Sequence, residues 1–350
     1  MAFMVLVSGL AFPSRAAWSE LHDLQGAYAL EWAGTSLIAM GEPAGMVHST
    51  DSGRHWDTVT GFPSVRYGSL ARIQNDLFLG LGDSGIYRST DGASTWARVD
   101  QGAWKAGAGR LVAAEGSLFQ FGSAGVFRSP DRGATWIPAK VAADPGSVNG
   151  FAAIGEILYA TTDDGIFKSG DGGATWKAAS AGLTDTWAVA LGAIGNSLVA
   201  AAYGGKVFRS SDQGQTWAPI GKGTGGKLVY KFVSAGPVLY AGTNEGLGQS
   251  TDSGATWNWL NGPIGTFVFD LEIRDGALFG ASTHGLWSVP LKDIQSSAVR
   301  QNRGHRAASW SPYMLAGDAP PSVVREGRPM ITLDGRRKSG GRNPGILIAY

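Results

Sequence analysis

The chain of 350 residues contains no cysteine. This excludes disulfide bonds, catalytic thiols and thiolate-ligated metals. The five histidines are scattered along the sequence and suggest no metal cluster. After the first 17 residues, no stretch is long and apolar enough to span a bilayer. We therefore expect no metal site, no other cofactor and no membrane-spanning segment.

Positive charge is also scarce in most of the chain. Residues 1–290 carry 19 Lys and Arg against 24 Asp and Glu, a balance of −5. Residues 291–350 carry 10 against 4, a balance of +6. Because phosphate binding needs clustered positive charge, the acidic body argues against nucleic acid as a partner.

Glycine and tryptophan are abundant, with 53 and 13 residues. Many glycines together with many aromatics are typical of short strands joined by tight turns. One eight-residue motif recurs six times, and its most regular copy runs from Ser129 to Trp136 as SPDRGATW. Successive copies are 40 or 41 residues apart, and their aspartates are Asp51, Asp91, Asp131, Asp171, Asp212 and Asp252.

The motif has a physical explanation as a turn. An Asp carboxylate accepts hydrogen bonds from backbone N–H groups that follow it, and glycine supplies a positive φ. Two copies depart from the pattern, with His55 in place of Thr and Ala93 in place of Gly. We therefore expect the six aspartates to be structural and not catalytic.

Each unit of about 40 residues contains four strand-like runs, which is the size of one propeller blade. The motif Ser-x-Asp-x-Gly-x-Thr-Trp resembles the Asp-box, or BNR, repeat family, and residues 17–290 carry the resemblance. That family includes sialidases, xyloglucanases, sortilin-type receptors and photosystem II assembly factor-like proteins. The resemblance implies an all-β propeller, but it is weak evidence for function because the same repeat occurs in enzymes and non-enzymes.

The number of blades follows from the two ends of the repeat region. After the sixth motif, residues 267–289 contain three more strand-like runs but no fourth. The run around Trp18 resembles the one around Trp257 that follows a motif, and it has no preceding strands of its own. We predict seven four-stranded blades, with the strand after Trp18 completing the last blade and removing an exposed edge.

The termini differ from the repeat region. Residues 1–16 are apolar and end in Ser-Arg-Ala, so they read as a possible signal peptide, although an ordinary buried strand is the alternative. A secreted or periplasmic location would follow. The tail, residues 291–350, is basic, fits no repeat and is predicted to be largely disordered. An anchoring segment or a basic arm are the alternatives.

Candidate binding residues lie on the face away from the motifs, where the resemblance places the active sites of the family's enzymes. Connections there differ from blade to blade, which a specific site requires. The alternative is that their aromatic rings only pack between blades. The preferred ligand-binding candidates are Trp104, Asp164, Asp185, Trp187, Tyr230 and Glu245.

Two kinds of enzyme are weighed against a binding role. Sialidase chemistry needs three arginines around a substrate carboxylate, and only Arg66 and Arg110 are expected near the centre, with Arg72 expected at a turn on the opposite face. Xyloglucanase-like hydrolysis needs two facing carboxylates, and a single ring offers half the cleft. We expect an exported, non-catalytic, monomeric module that binds a protein or carbohydrate, with a BNR-type glycoside hydrolase as the alternative.

Overall fold

The computed structural model describes residues 18–22, 24, 26–41, 45–61, 68–100, 110–122, 125–141, 148–260 and 267–294. The predicted signal peptide, residues 1–16, and residues 295–350 of the predicted disordered tail lie outside the described residues. Within the described ranges, no helix is long and apolar enough to cross a membrane.

The described chain contains 29 strands, β1 to β29, and two short 3-10 helices, Gly82–Ser84 and Leu291–Asp293. These strands form seven sheets, and within each sheet neighbouring strands follow one another almost entirely in chain order. The first strand is β1 (Ser19–His22). Blade 1 comprises β2 (Ala29–Ala33), β3 (Ser36–Gly41), β4 (Gly45–Ser49) and β5 (Asp57–Thr58). Blade 2 comprises β6 (Ser69–Ile73), β7 (Asp76–Gly80), β8 (Ile86–Ser89) and β9 (Ala97–Arg98). Blade 3 comprises β10 (Arg110–Ala114), β11 (Ser117–Gly122), β12 (Gly125–Ser129) and β13 (Ile137–Pro138).

The remaining blades follow the same order, except that blade 4 gains a short parallel strand, β14 (Lys140–Val141), at its outer edge. Blade 4 continues with β15 (Val148–Ile154), β16 (Ile157–Thr162), β17 (Gly165–Ser169) and β18 (Thr175–Ala178). Blade 5 comprises β19 (Ala188–Ile194), β20 (Ser197–Ala202), β21 (Val207–Ser210) and β22 (Ala218–Pro219). Blade 6 comprises β23 (Val229–Ala235), β24 (Val238–Thr243), β25 (Gly246–Ser250) and β26 (Asn258–Leu260). Blade 7 comprises β27 (Val268–Arg274), β28 (Ala277–Ser282), β29 (Gly285–Pro290) and β1.

The first strand of each blade contacts the first strands of the two neighbouring blades, all the way around from blade 1 to blade 7 and back. Consecutive strands within blades 1 to 6 pair antiparallel. This arrangement is a seven-bladed β-propeller with the first strands around a central channel. The prediction of seven four-stranded blades is therefore confirmed.

Strand β1 lies antiparallel beside β29, with Ser19 opposite Ser288 and Glu20 opposite Trp287. The ring of Trp18 packs edge-on against that of Trp287, with centroids 5.2 Å apart. The structure thus places the N-terminal strand in the fourth position of blade 7. Whether the ring depends on this strand stays a prediction.

The core is distributed between the blades, because each sheet buries both of its faces against its neighbours. Every residue of β3 and of β20 is buried. The apolar clusters join adjacent blades; for example, Phe119 of blade 3 packs with Phe167 and Trp176 of blade 4. Seven apolar clusters occur among the described residues, so the core lies between the blades and not at a single centre.

The six motifs form one repeated turn between the third and fourth strands. In the copy at Asp171, the hydroxyl of Ser169 donates to one carboxylate oxygen at 2.8 Å. The N–H of Thr175 donates to the same oxygen at 2.9 Å, and the hydroxyl of Thr175 donates to the other at 2.6 Å. The N–H of Gly173 donates in turn to the hydroxyl of Ser169. The aspartate therefore closes the turn.

The glycine of this turn is required for two reasons. Gly173 has φ +83°, which favours glycine. A Cβ at this position would come within 2.1 Å of Cε1 of Phe119 in the preceding blade. The turn therefore fixes both the local chain reversal and the close approach of blade 4 to blade 3.

We expect the substitution Asp171→Ala to lower the free energy of unfolding by about 1–3 kcal/mol, because it leaves the turn donors without an acceptor. Hydrogen bonds from Thr175 hold the pKa of the Asp171 carboxyl at about 2, below its ordinary value. A depressed folded-state pKa stabilises the protein above the unfolded pKa, near 4, and this contribution is lost as the pH falls toward 2. Chemical denaturation at pH 7 and pH 3 measures it. If the variant lost binding but kept its stability, the structural role would be wrong.

Candidate functional site

The propeller has two chemically different faces, because strands alternate in direction within each blade. The upper face carries the second-to-third and fourth-to-first connections. The lower face carries the first-to-second connections and all six repeated turns. The lower face therefore presents six similar turns, whereas every upper-face connection has its own sequence.

A β-bulge interrupts the start of the first strand in blades 4 to 7. Pairing with the second strand shifts register around Asn149, Val189, Tyr230 and Phe269. Bulges re-aim side chains and are common beside functional sites. These four bulges lie at the upper end of the channel, so they shape its mouth on one side of the ring.

Aromatic rings follow this side of the mouth. Trp187, just before β19, stacks on Tyr203 with centroids 4.4 Å apart and planes 9° from parallel. The ring of Tyr230 packs against Phe269 at 5.3 Å and Phe267 at 6.5 Å. Burial raises the pKa of Tyr230, and the nearby Tyr203 adds to this shift. The rings lie in two groups, one on blade 5 and one on blades 6 and 7, and the effect of Tyr203 on Tyr230 shows that the groups are close; together we call them the aromatic band.

The members of this band differ in their access to solvent. Tyr230 is buried, at 9% exposure, whereas Tyr203 is 50% exposed. Tyr203 and Ile137 are the two large apolar side chains that are exposed among the described residues. Of the two tyrosine rings, Tyr203 therefore presents the accessible surface, and a ligand-binding role for Tyr230 stays a prediction.

Carboxylates lie at the seam between blades 4 and 5, beside Trp187. The side-chain amide of Asn149 donates to the carboxylate of Asp163 at 2.9 Å and to the carbonyl of Ala188 at 3.2 Å. This clamp holds Asp163 next to the strand that follows Trp187. Asp164 follows in the same hairpin and is exposed. Asp185 is half-buried and lies two residues before Trp187.

Glu245 lies apart from this seam, on the second-to-third connection of blade 6. Its carboxylate accepts a hydrogen bond from Nζ of Lys227. That ammonium also lies 5.0 Å from the ring centroid of Trp259. Glu245 is 59% exposed in spite of the ion pair. It therefore belongs to a separate cluster on the upper face.

The six predicted site residues thus have different outcomes. The structure brings Asp164, Asp185 and Trp187 to one seam and extends it to Tyr230 through Tyr203. Glu245 lies on the next blade along. Trp104 lies outside the described residues, so its place stays a prediction.

Inside the channel lies a charged network that the sequence did not reveal. The carboxylate of Asp270 accepts a hydrogen bond from the N–H of Leu30 at 2.9 Å, across the seam between blades 7 and 1. Nζ of Lys231 lies 2.8 Å from the other oxygen of Asp270 and 4.0 Å from Glu272. Burial opposes the ammonium form of Lys231, but the two carboxylates outweigh it and raise its pKa. Blades 6, 7 and 1 are therefore linked through Asp270.

The same network continues to blade 2. Nε of Arg72 donates to the carboxylate of Glu31 at 3.0 Å. Nη1 of Arg72 also donates to the carbonyl of Gln74 at 3.0 Å, so Arg72 lies near the first-to-second turn of blade 2, as predicted, while its guanidinium reaches the first strand of blade 1. Burial raises the pKa of Glu31 against this attraction. Burial also raises the pKa of Glu272 to about 8, opposed by Lys231 and reinforced by Glu31.

No cluster of metal-ligating side chains occurs within the described ranges. The site offers rings, carboxylates and ion pairs, which can bind a ligand by stacking and hydrogen bonding.

No protein-family model matches the chain, and no curated protein matches it in sequence. Solved structures do resemble it. YCF48 from Cyanidioschyzon merolae has a TM-score of 0.63 at 15% identity, over 78% of this chain and 98% of that one. A structure described as YCF48 bound to D1 peptide has a TM-score of 0.65 at 15% identity, over 82% and 98%. The GH74 xyloglucanase from Xanthomonas campestris has a TM-score of 0.56 at 17% identity, over 76% and 43%. These likenesses show the fold alone.

Proposed function

We propose that this protein is a binding or assembly module that recognises a protein partner through its upper face. The observation that carries the proposal is the half-exposed Tyr203 ring, stacked on Trp187 beside the mouth of the channel. Exposed aromatic rings among polar groups mark interaction sites more often than isolated surface residues do. A similar propeller, YCF48, is described in complex with a peptide, which supports a peptide-like partner.

The upper face also has the variety that recognition requires. The seam between blades 4 and 5 presents rings and carboxylates, whereas blade 6 presents the Lys227–Glu245 ion pair. A ligand that spans these blades meets different groups at each step. The lower face repeats one turn six times, so it offers no comparable discrimination.

We expect Trp187→Ala and Tyr203→Ala each to weaken partner binding by about tenfold, since truncating an aromatic anchor costs 1–2 kcal/mol or more. Glu245→Gln should weaken it less, because its ion pair is solvent-exposed. Selection of binding peptides from a random display library, followed by titration of the selected peptides, measures these effects.

The matched controls are Ile137→Ala, which removes an equally exposed apolar side chain, and Glu156→Gln, which removes a charge from a lower-face turn. Both should bind like the wild type. If the controls lost binding and the upper-face variants kept it, the partner would dock elsewhere.

A glycoside hydrolase is the alternative, and it requires two carboxylates opposed across the scissile bond. On the described upper face, Asp163, Asp164 and Asp185 lie at the seam between blades 4 and 5, whereas Glu245 pairs with Lys227 on blade 6 and Asp100 pairs with Arg98 on blade 2. A screen with chromogenic glycosides tests the alternative directly. Turnover that Asp164→Asn or Asp185→Asn abolishes would replace the binding role with hydrolysis.

We further propose that the six turns belong to the Asp-box repeat family and that the protein is an exported monomer. The hydrogen bonds around each motif aspartate support the first point. The apolar residues 1–16 support export. Cell fractionation and light scattering test the location and the oligomeric state.

A further inference from the structure

The Trp187–Tyr203 stack, defined by these two rings, is an unusual surface for this protein. Large apolar side chains are buried nearly everywhere in the described chain, yet half of Tyr203 is accessible. Its N–H donates to the carbonyl of Trp187 at 3.0 Å, so the backbone also holds the two residues together. The stack is therefore a fixed platform, and one ring can receive a planar group without rearrangement.

Three aspartates lie near this platform: Asp185 precedes Trp187 by two residues, and Asp163 and Asp164 belong to the hairpin that Asn149 connects to Ala188. Asp163 is already held by Asn149. In the part of the chain that the structure describes, no side-chain hydrogen bond or ion pair holds the carboxylates of Asp164 and Asp185. Two carboxylates beside the platform thus keep their acceptor capacity for a ligand.

Two cations lie near the same seam. Arg110 reaches from blade 3 and donates to the carbonyl of Asn149. Lys206 is exposed on the hairpin that carries Tyr203. Among these described residues, three aspartates outnumber two cations, and this balance favours a positive ligand.

We propose that the Trp187–Tyr203 stack, with Asp164 and Asp185, is a subsite for an arginine side chain of the partner protein. The inference rests on the proposed function and names the chemistry of its ligand. A guanidinium group is planar, stacks on aromatic faces, and donates two parallel hydrogen bonds to a carboxylate. The platform and the free carboxylates match these two properties.

Other ligands fit less well. A lysine ammonium can approach the ring, but it is not planar. It therefore cannot stack on the ring or donate two parallel hydrogen bonds to one carboxylate. An acidic side chain would meet Asp164 and Asp185 and be repelled. The geometry therefore selects arginine over both.

The test uses the full-length protein and acetylated peptides of glycine and serine with a central residue repeated three times. The central residue is arginine, citrulline, lysine or glutamate. Citrulline keeps the shape of arginine but is neutral, so it isolates the charge. Binding is followed by nuclear magnetic resonance shifts and by tryptophan fluorescence. We expect the arginine peptide to bind about tenfold more tightly than the citrulline peptide and severalfold more tightly than the lysine peptide.

Variants assign the effect to the platform. Tyr203→Ala and the double substitution Asp164→Asn with Asp185→Asn should each abolish the preference for arginine over citrulline. Tyr203→Phe keeps the ring and should retain the preference. Ile137→Ala and Glu156→Gln should leave it unchanged.

Three results would overturn the inference in different ways. If display-selected peptides lose binding with Tyr203→Ala but tolerate the change of arginine to citrulline, the upper face binds its partner without a guanidinium. If Tyr203→Ala affects neither selected peptides nor arginine peptides, the proposed function fails as well. Equal binding of arginine and citrulline by the wild type rejects the subsite.

Discussion

Deletion of residues 17–24 is expected to abolish cooperative folding or to lower the Tm by well over 10 °C, with aggregation on heating. The deletion removes β1, which pairs with β29 in blade 7. The unpaired backbone of β29 then becomes an exposed edge that can pair with another molecule. Differential scanning calorimetry and light scattering measure the two effects.

The side chains of this segment add to the expected loss. Trp18 packs on the fully buried Trp287. Leu21 lies against the turn glycine Gly53, where an added Cβ would approach its Cδ1 to 2.9 Å. Leu24 is itself buried. Truncating a single such side chain, as in Trp18→Ala, costs about 3 kcal/mol, which corresponds to about 10 °C in Tm for a domain of this size.

A truncation of residues 1–16 is the matched control, since it shortens the chain at the same end but leaves β1 in place. It should melt like the full chain. Equal stability and solubility of the 17–24 deletion would show that the inner contacts between first strands close the ring by themselves.

The fold could be predicted from the sequence because the same turn motif recurs in six of the seven blades. Six turns with the same acceptor, hydroxyls and tryptophan fix the third-to-fourth connections at equal spacing. The missing fourth strand and the isolated run at Trp18 then give the seventh blade. Local chemistry and global topology agree at every copy, so a departure from the motif in one copy, such as His55 in place of Thr, does not change the predicted fold.

The site could be predicted only in part. Periodicity places Trp187 and Asp185 on the upper face but does not say which ring is buried. Tyr230 is covered by Phe269 from the next blade, and such a contact between blades depends on the bulges, which leave no sequence signal of their own. The accessible ring, Tyr203, follows a strand of small residues and looks unremarkable in the sequence.

The channel network was missed for a related reason. Lys231, Asp270 and Glu272 alternate with apolar residues, as solvent-facing positions of any strand do. Only the closed ring brings them together. Their role follows from burial, since charges that are removed from water must be paired or neutralised.

We expect Lys231→Met to destabilise the protein by about 3–5 kcal/mol at pH 9, above the pKa of Glu272, because it leaves Asp270 and the ionised Glu272 without their cation. The loss should be smaller at pH 5, where Glu272 is already protonated in the wild type and does not need the cation. Denaturant unfolding across this pH range measures the difference.

Glu272→Gln tests the same network by changing an acidic group instead of the cation. Burial raises the pKa of Glu272 to about 8, so the folded chain holds a proton that the unfolded chain releases near pH 4.5. This contribution to stability is complete below pH 4.5 and is lost as the pH rises through 8. The amide cannot ionise, so Glu272→Gln should flatten the decline and gain about 1–3 kcal/mol over the wild type at pH 9.

The double variant, Lys231→Met with Glu272→Gln, tests whether the effects of the two substitutions on stability are coupled. Since the amide removes one of the two carboxylates that Lys231 faces, the double variant should recover part of the stability that Lys231→Met loses at pH 9. Asp275→Asn is the control, because it neutralises an exposed carboxylate on the same blade and should change neither the stability nor its pH dependence by more than about 0.5 kcal/mol.

Parallel pH profiles for Glu272→Gln and the wild type, or strictly additive losses in the double variant, would show that Glu272 is ionised and independent of Lys231. In that case the contact between blades 6 and 7 would rest on the Lys231–Asp270 ion pair and on apolar packing.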